Sequence, residues 1–182
     1  VQGALDSTSI TEADLHAGLW DFAAIEIFQV NRDDLSMGIL RTRKGNLGEV
    51  RAGAGVFVAE LRGMLQRLQQ QVGRTVKAAC DADLGDTRCG INLGTFADGT
   101  VAGTLTAVNS NRLFTDSALG QATGWFSGGL LTFNTGANAG IAMEVKSFTS
   151  GGVILTEQPL PFTVEVGDTF TVTSGCDKTL AT

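Results

Sequence analysis

Apolar and polar positions alternate along this chain in two different rhythms. Near the start, Ile10, Leu15 and Leu19 form an apolar stripe that predicts a short helix. Ser9 or Thr11 caps it, Asp14 lies three residues after Thr11 as an acidic variant of the capping box, and Gly18 is the stop. Ile25, Ile27 and Gln29 then alternate with Glu26, Phe28 and Val30, which predicts a strand apolar on both faces. Residues 31–34 read as a turn, 37–43 as the returning strand, and Lys44, Gly45 and Asn46 as another turn. Segments 47–51 and 56–61 predict a further strand pair about residues 52–55. Leu61, Leu65, Leu68 and Val72 recur at helical spacing, with Arg62, Gln66, Arg67, Gln69 and Gln70 opposite, predicting a closing helix. Four strands and two helices make a half-barrel or small α+β unit.

Beyond residue 90 the pattern is almost all strand. Segments 101–108, 130–133, 141–148, 153–155 and 169–173 read as short strands. Gly-rich turns at 136–140 and 151–152 separate some of them, as in a small β-barrel. Composition shifts at the same place. Residues 1–90 hold 10 Lys/Arg and 12 Asp/Glu, against 3 and 7 in residues 91–182. The expected layout is a first segment at 1–75, a cysteine loop acting as a joint at 76–90, and a β-barrel domain at 91–182. The fold class is mainly β (α+β).

Composition narrows the function. With 182 residues, 43% hydrophobic and 18% charged, the chain has material for a core and is not of the disordered class. No apolar run is long enough for a membrane span, and residues 1–20 lack the pattern of an export signal. A net charge of −6 argues against a surface for nucleic-acid phosphates. Without an export signal, three cysteines are a poor disulfide framework. The chain begins at Val1 and ends in a polar turn, so it reads as a piece of a longer protein.

The candidate chemistry lies in the cysteines. Cys80 and Cys89 frame an acidic loop, and Cys176 follows after 86 intervening residues, directly after Gly175. Thiolates take soft or borderline metals, but an eight-residue gap is not the usual zinc spacing. The plainer reading is three free thiols acting as small hydrophobes, although all three lie among polar, turn-forming residues. Asp81, Asp83 and Asp86 beside Gly85 suggest a calcium loop, yet Gly85 is one place early and no Glu closes it. The alternative is that these carboxylates cap turns, with Asp86 pairing to Arg88. Hydrolase chemistry finds little support. The single His16 falls on the exposed side of its helix, no nucleophile elbow occurs, and no aromatic platform accompanies a carboxylate pair. Trp20 and Trp125 are expected in the core. Gly128-Gly129 and Gly151-Gly152 precede strands rather than helices, so they are not phosphate loops.

Several stretches together resemble a known family. They are Gly3 to Asp6, Ile10 to Leu15, Gly45 to Val50, and Glu60 to Gly63. More specific are the run from Cys80 to Gly90 and the terminal Gly175-Cys176-Asp177-Lys178-Thr179, with Trp125 to Gly129 and Gly136 to Gly140 between. These resemble the tail hub family of siphophages, prophages and gene transfer agents, and the cysteine layout is similar to that of lambda-type tail tip proteins. The resemblance implies a partial hub barrel with helices, followed by a small C-terminal β-barrel domain. It implies a structural, non-enzymatic component of a phage-like tail tip that joins the tail tube to the central tip or fibre. Expected partners are the distal tail protein, the central tip or fibre protein, and two further copies in a homotrimer, without nucleic acid or membrane insertion. The expected location is the virion or tail-like particle, after synthesis in the bacterial cytoplasm. The family's [4Fe–4S] cluster implies Cys80, Cys89 and Cys176 as three ligands, with the fourth beyond Thr182; in a chain ending at Thr182, zinc or empty thiols are the alternatives. Joining these thiols would close a loop of roughly ninety residues, a large constraint on the unfolded chain. The alternative function is a receptor- or glycan-binding β-module that uses the loops at 109–111 and 120–123.

Overall fold

The computed structural model describes residues 2–4, 10–53, 56–70 and 72–179. The chain is mainly β, and it divides into two compact units, Val1–Arg74 and Thr75–Thr182. Cys80, Cys89 and Cys176 therefore all belong to the second unit. Among the described residues no helix is long and apolar enough to cross a membrane.

In the first unit, Thr11 caps helix α1 (Glu12–His16) by accepting a hydrogen bond from the Asp14 N–H at 3.2 Å. The alternative cap, Ser9, lies outside the described residues. Gly18 ends the turn at φ +73°, a backbone setting that suits glycine. The sheet has the order β1-β4-β3-β2, all antiparallel. Its strands are β1 (Gln2–Ala4), β2 (Ala24–Val30), β3 (Ile39–Gly53) and β4 (Val56–Arg62). Leu47, Phe57 and Ala59 are buried, and Ile10, Leu15, Trp20, Ala23, Ile25 and Val50 pack against them.

Two sequence expectations fail in this unit. Lys44, Gly45 and Asn46 do not turn, because β3 runs straight through them. It pairs with β2 up to Asn46 and with β4 from Asn46 onward, so the chain changes partner without changing direction. Gly45 serves close approach rather than reversal: a Cβ there would strike the Arg62 carbonyl. The helix expected from Leu61 to Val72 is confined to α2 (Met64–Leu68), and Leu61 belongs to β4. Among the described residues nothing covers the apolar side chains of α2: Met64, Leu65 and Leu68 are all exposed. A five-residue helix without packing has little to propagate it.

The second unit has seven antiparallel strands in the order β5-β11-β8-β9-β10-β7-β6. They are β5 (Thr100–Thr104), β6 (Ala107–Val108), β7 (Leu113–Thr115), β8 (Leu130–Phe133), β9 (Ala142–Thr149), β10 (Val153–Thr156) and β11 (Thr169–Thr173). The strand expected over residues 101–108 is broken at Leu105 and Thr106. That break shapes the unit. β5 and β6 are the two edges of the sheet, yet only two residues separate them in sequence, so the sheet must curl into a half-barrel. At the corner, the Leu105 N–H donates to Asp168 and the Thr106 N–H to Thr115. The Asp116 carboxylate accepts from the N–H groups of Thr104 and Ala118, both at 2.9 Å.

The interior of the curl is aromatic. Phe114 meets Phe133 edge to face at 5.8 Å, and Phe126 meets Phe148 at 4.9 Å. The buried Asn138 clamps the Phe162–Thr163 segment, donating to both carbonyls and accepting from the Phe162 N–H. Trp20 packs against the first unit's core, whereas Trp125 is exposed. The indole N–H of Trp125 bonds the Asp98 carbonyl at 3.0 Å, which holds the ring at the surface.

Candidate functional site

The candidate site begins where the two ends of the second unit meet. Ala79 and Thr179 form an antiparallel bridge, and the Cys80 N–H donates to the Lys178 carbonyl at 2.8 Å. The segments bearing Cys80 and Cys176 are thus neighbours, although 95 positions separate them in sequence. Lys178 sits at φ +60°. In that bend its own N–H points at Cys176 Sγ, 3.4 Å away. Its ammonium group reaches the Ala82 carbonyl and lies 3.9 Å from the Asp83 carboxylate.

Cys89 sits on the adjoining turn, which Asp86 organises. The Asp86 carboxylate accepts from the N–H groups of Cys89 at 2.6 Å and Arg88 at 2.9 Å, and from the Arg88 guanidinium at 3.1 Å. The Cys89 N–H, first among these donors, holds the Asp86 carboxyl below its usual range. Gly85, at φ +88°, allows the reversal. Arg88 also lies 3.8 Å from the Asp81 carboxylate. The acidic loop that sequence offered to calcium is therefore met by two side-chain cations, Arg88 and Lys178. The expected Asp86–Arg88 pair is present.

All three thiols are half-buried and outside any disulfide. Their chemistry suits a thiophilic metal, and an N–H directed at a cysteine sulfur is a contact that ligating thiolates take. Among the described residues, however, no three Cys, His, Asp or Glu side chains converge as a metal's ligands do.

Next to this segment lies an apolar groove of about 170 Å³, lined by Leu84, Ile91, Leu93, Phe96 and Trp125. The two loops offered as a recognition surface are only partly free. Asn111 is half-buried, with its side chain linked to the Leu160 carbonyl and the Val164 N–H. Gln121 is tied to Asp98 at 3.1 Å. Asn109, Ser110, Ala122 and Thr123 face water. His16 is exposed, 3.6 Å from Glu12. Lys178 escaped the sequence reading because its partners lie almost a hundred residues away; only its place in the terminal motif marked it.

Known proteins bear on these features. A family model described as "Baseplate hub protein, N-terminal attachment domain" matches residues 1–92. A second, "Phage conserved hypothetical protein BR0599", matches residues 124–182. No curated protein matches the chain. Among solved structures, a chain from "Virion of native gene transfer agent (GTA) particle" is similar, with a TM-score of 0.86 and 36% identity. The match covers 98% of the present chain and 62% of that one, so the present chain spans less than two thirds of its relative. The first family model covers half of the sequence, and the chain belongs to the baseplate hub protein family that this attachment domain defines.

Proposed function

We propose that this protein is a structural component of a phage-like tail tip or hub, joining the tail tube to the central tip or fibre. The observation that carries this reading is the likeness of nearly the whole chain to a chain of a gene transfer agent virion, together with the hub family match. The protein then resides in the virion or tail-like particle. Its partners are other tail proteins and further copies of itself, in a trimer. It is assigned no catalytic residue. The test is a deletion in the producing strain followed by electron microscopy of the particles. Particles without a joined tail tip are expected; intact tails in the deletion strain overturn the reading.

We further propose that Cys80, Cys89 and Cys176 would hold a cysteine-ligated iron–sulfur cluster as a structural staple. Such a cluster supplies Fe–S bonds that tie the start of the second unit to its end. Support comes from the placement of all three thiols in one unit, from the pairing of the Cys80 and Cys176 segments, and from the Lys178 N–H directed at Cys176 Sγ. The lack of a converged donor group among the described residues means that the thiols would have to be drawn together on loading. Anaerobic purification of the protein from its producing strain is expected to give brown protein whose visible absorbance dithionite bleaches. Colourless, metal-free protein that assembles normally overturns the staple and leaves the hub reading standing.

A second reading is a receptor- or glycan-binding module. The exposed Trp125, next to the loop at 120–123, favours it. A glycan array probed with the chain tests it, and an absence of binding removes it.

A further inference from the structure

Where β4 runs into α2, this acidic chain gathers positive charge. Two adjoining hollows of about 240 and 330 Å³ share Asn46, Arg62, Gly63 and Arg67. Lys44 lines the first and Phe22 the second. The lining residues include three cations and no carboxylate, although the chain as a whole carries −6.

Two of the three cations have no ion pair among the described residues. The Arg67 guanidinium donates to Asn46 Oδ1 at 3.1 Å, a neutral partner. Lys44 stands opposite Glu26 in the strand register, but the Glu26 carboxylate is taken by Arg41 at 2.7 Å. Arg62 does meet a carboxylate: its Nε donates to Glu60 at 3.0 Å. Its two terminal nitrogens make no hydrogen bond among the described residues and remain available as a fork. Like charges gathered around one concavity repel one another, and an anion placed between them relieves that cost.

The hollow is also built. Asn46 donates from Nδ2 to the Phe22 carbonyl at 2.8 Å while it accepts from Arg67, so one amide ties three segments together. Phe22 sits at φ +58°, a costly setting for an aromatic residue, and is 69% exposed. A strained backbone that keeps an aromatic ring in water, in the hollow that holds two guanidinium groups, contributes nothing to the core. It serves a ligand with an anionic group beside an apolar one. An acidic peptide has that chemistry. An extended phosphate backbone fits less well, because three cations in one concavity neutralise few phosphates and the net charge of −6 repels the rest.

We propose that this hollow binds an acidic segment of a different tail protein, with an Asp or Glu carboxylate meeting Arg62 and Arg67 and an adjacent apolar side chain resting on Phe22. The proposal deepens the hub reading, by naming the chemistry of one partner, and rests on it. The first test is amide NMR of the full chain titrated with a blocked tetrapeptide that alternates glutamate and leucine. Shifts at Phe22, Asn46 and Arg67 are expected, with a Kd of about 1 mM or below. Arg67→Glu is expected to weaken binding at least tenfold. Lys44→Gln, a change at an exposed position, covers the case in which Arg67→Glu fails to fold, and it is expected to weaken binding about threefold. Lys77→Gln, the same change in the second unit, should leave binding unaltered. Absence of these shifts, equal binding of the peptide with glutamine in place of glutamate, or tighter binding of an oligodeoxythymidine each overturns the proposal. The second test treats purified tail-like particles with a carbodiimide, which joins a carboxylate to a lysine amine. Mass spectrometry is expected to find Lys44 linked to an Asp or Glu of another tail protein; links only to copies of this chain, or none, overturn the proposal. Particles that contain the chain while the peptide fails to bind retire the site and keep the hub reading. A chain that binds the peptide but enters no particle retires the hub reading and leaves the anion site standing.

Discussion

Thirteen buried hydrophobic residues form one cluster in the second unit, five of them phenylalanines, whereas the described residues of the first unit contribute three: Leu47, Phe57 and Ala59. The apolar residues of the first unit lie largely outside. Phe28, Leu35, Met37, Leu40, Met64 and Leu68 all face water. Hydrophobic content alone would not separate the two, because both sequences alternate strongly. Topology separates them. The seven-stranded sheet curls into a half-barrel and has an inside, while the longest hairpin of the four-stranded sheet extends past its neighbours. An apolar face with no internal partner is what a subunit of a larger assembly keeps for its neighbours.

The largest expected effect comes from the core of the half-barrel. Phe126→Ala removes a fully buried ring packed edge to face on Phe148 and should cost about 3–5 kcal/mol. Phe57→Ala in the four-stranded sheet should cost less, about 2 kcal/mol, because a small cluster collapses more readily around the gap. Guanidinium unfolding of both variants reads the difference; equal costs would mean the first unit is packed as tightly as the second. Next comes Asn138→Ala. It strands the Phe162 N–H and two carbonyls and should lower the second unit's stability by about 2–3 kcal/mol in the same titration. Gly45→Ala sharpens the comparison from the other side. The new methyl meets the Arg62 carbonyl, so β3 and β4 must part locally, at a cost of about 1–3 kcal/mol. Hydrogen exchange should rise at Asn46 and Leu61 while the second unit stays unchanged.

The smallest effect is one of pH. The folded Asp86 carboxyl is held below its ordinary value of 3.8, chiefly by the Cys89 N–H. Its contribution is therefore complete above the ordinary carboxylate range and disappears as pH falls through the lowered value. The Cys89 amide resonance should titrate with a midpoint below 3.8 and stay flat above about pH 5. A midpoint at or above the ordinary value would show that the bond does not hold the turn.

Strands were legible where alternation ran between clear turn residues. The segments at 130–133 and 169–173 coincide with β8 and β11. Thr11 and Gly18 marked the ends of α1 because capping chemistry is local. Legibility failed where one residue type serves two geometries. Gly45 read as a turn, but a missing Cβ equally permits a neighbouring backbone to come close. The spacing of Leu61, Leu65 and Leu68 promised a longer helix, since periodicity reports an apolar face whether or not anything covers it. The corner at Leu105 and Thr106 was hidden because both residues suit a strand, and only the meeting of the sheet's edges requires a bend. β7 was missed because three residues carry too little pattern. Around the cysteines, Asp86 and Arg88 declared themselves by their spacing, whereas the approach of Lys178 to Ala82 is a product of the fold.

One measurement bears most directly on whether the first unit belongs to an assembled tail tip. Hydrogen exchange would be followed on the chain alone and on the same chain within purified tail-like particles. Residues 26–43 should exchange rapidly in the free chain and become strongly protected in the particle, with β8 and β11 slow in both. Finding the hairpin equally exchangeable in the two states, or finding no copy of the chain in the particles, would contradict the account.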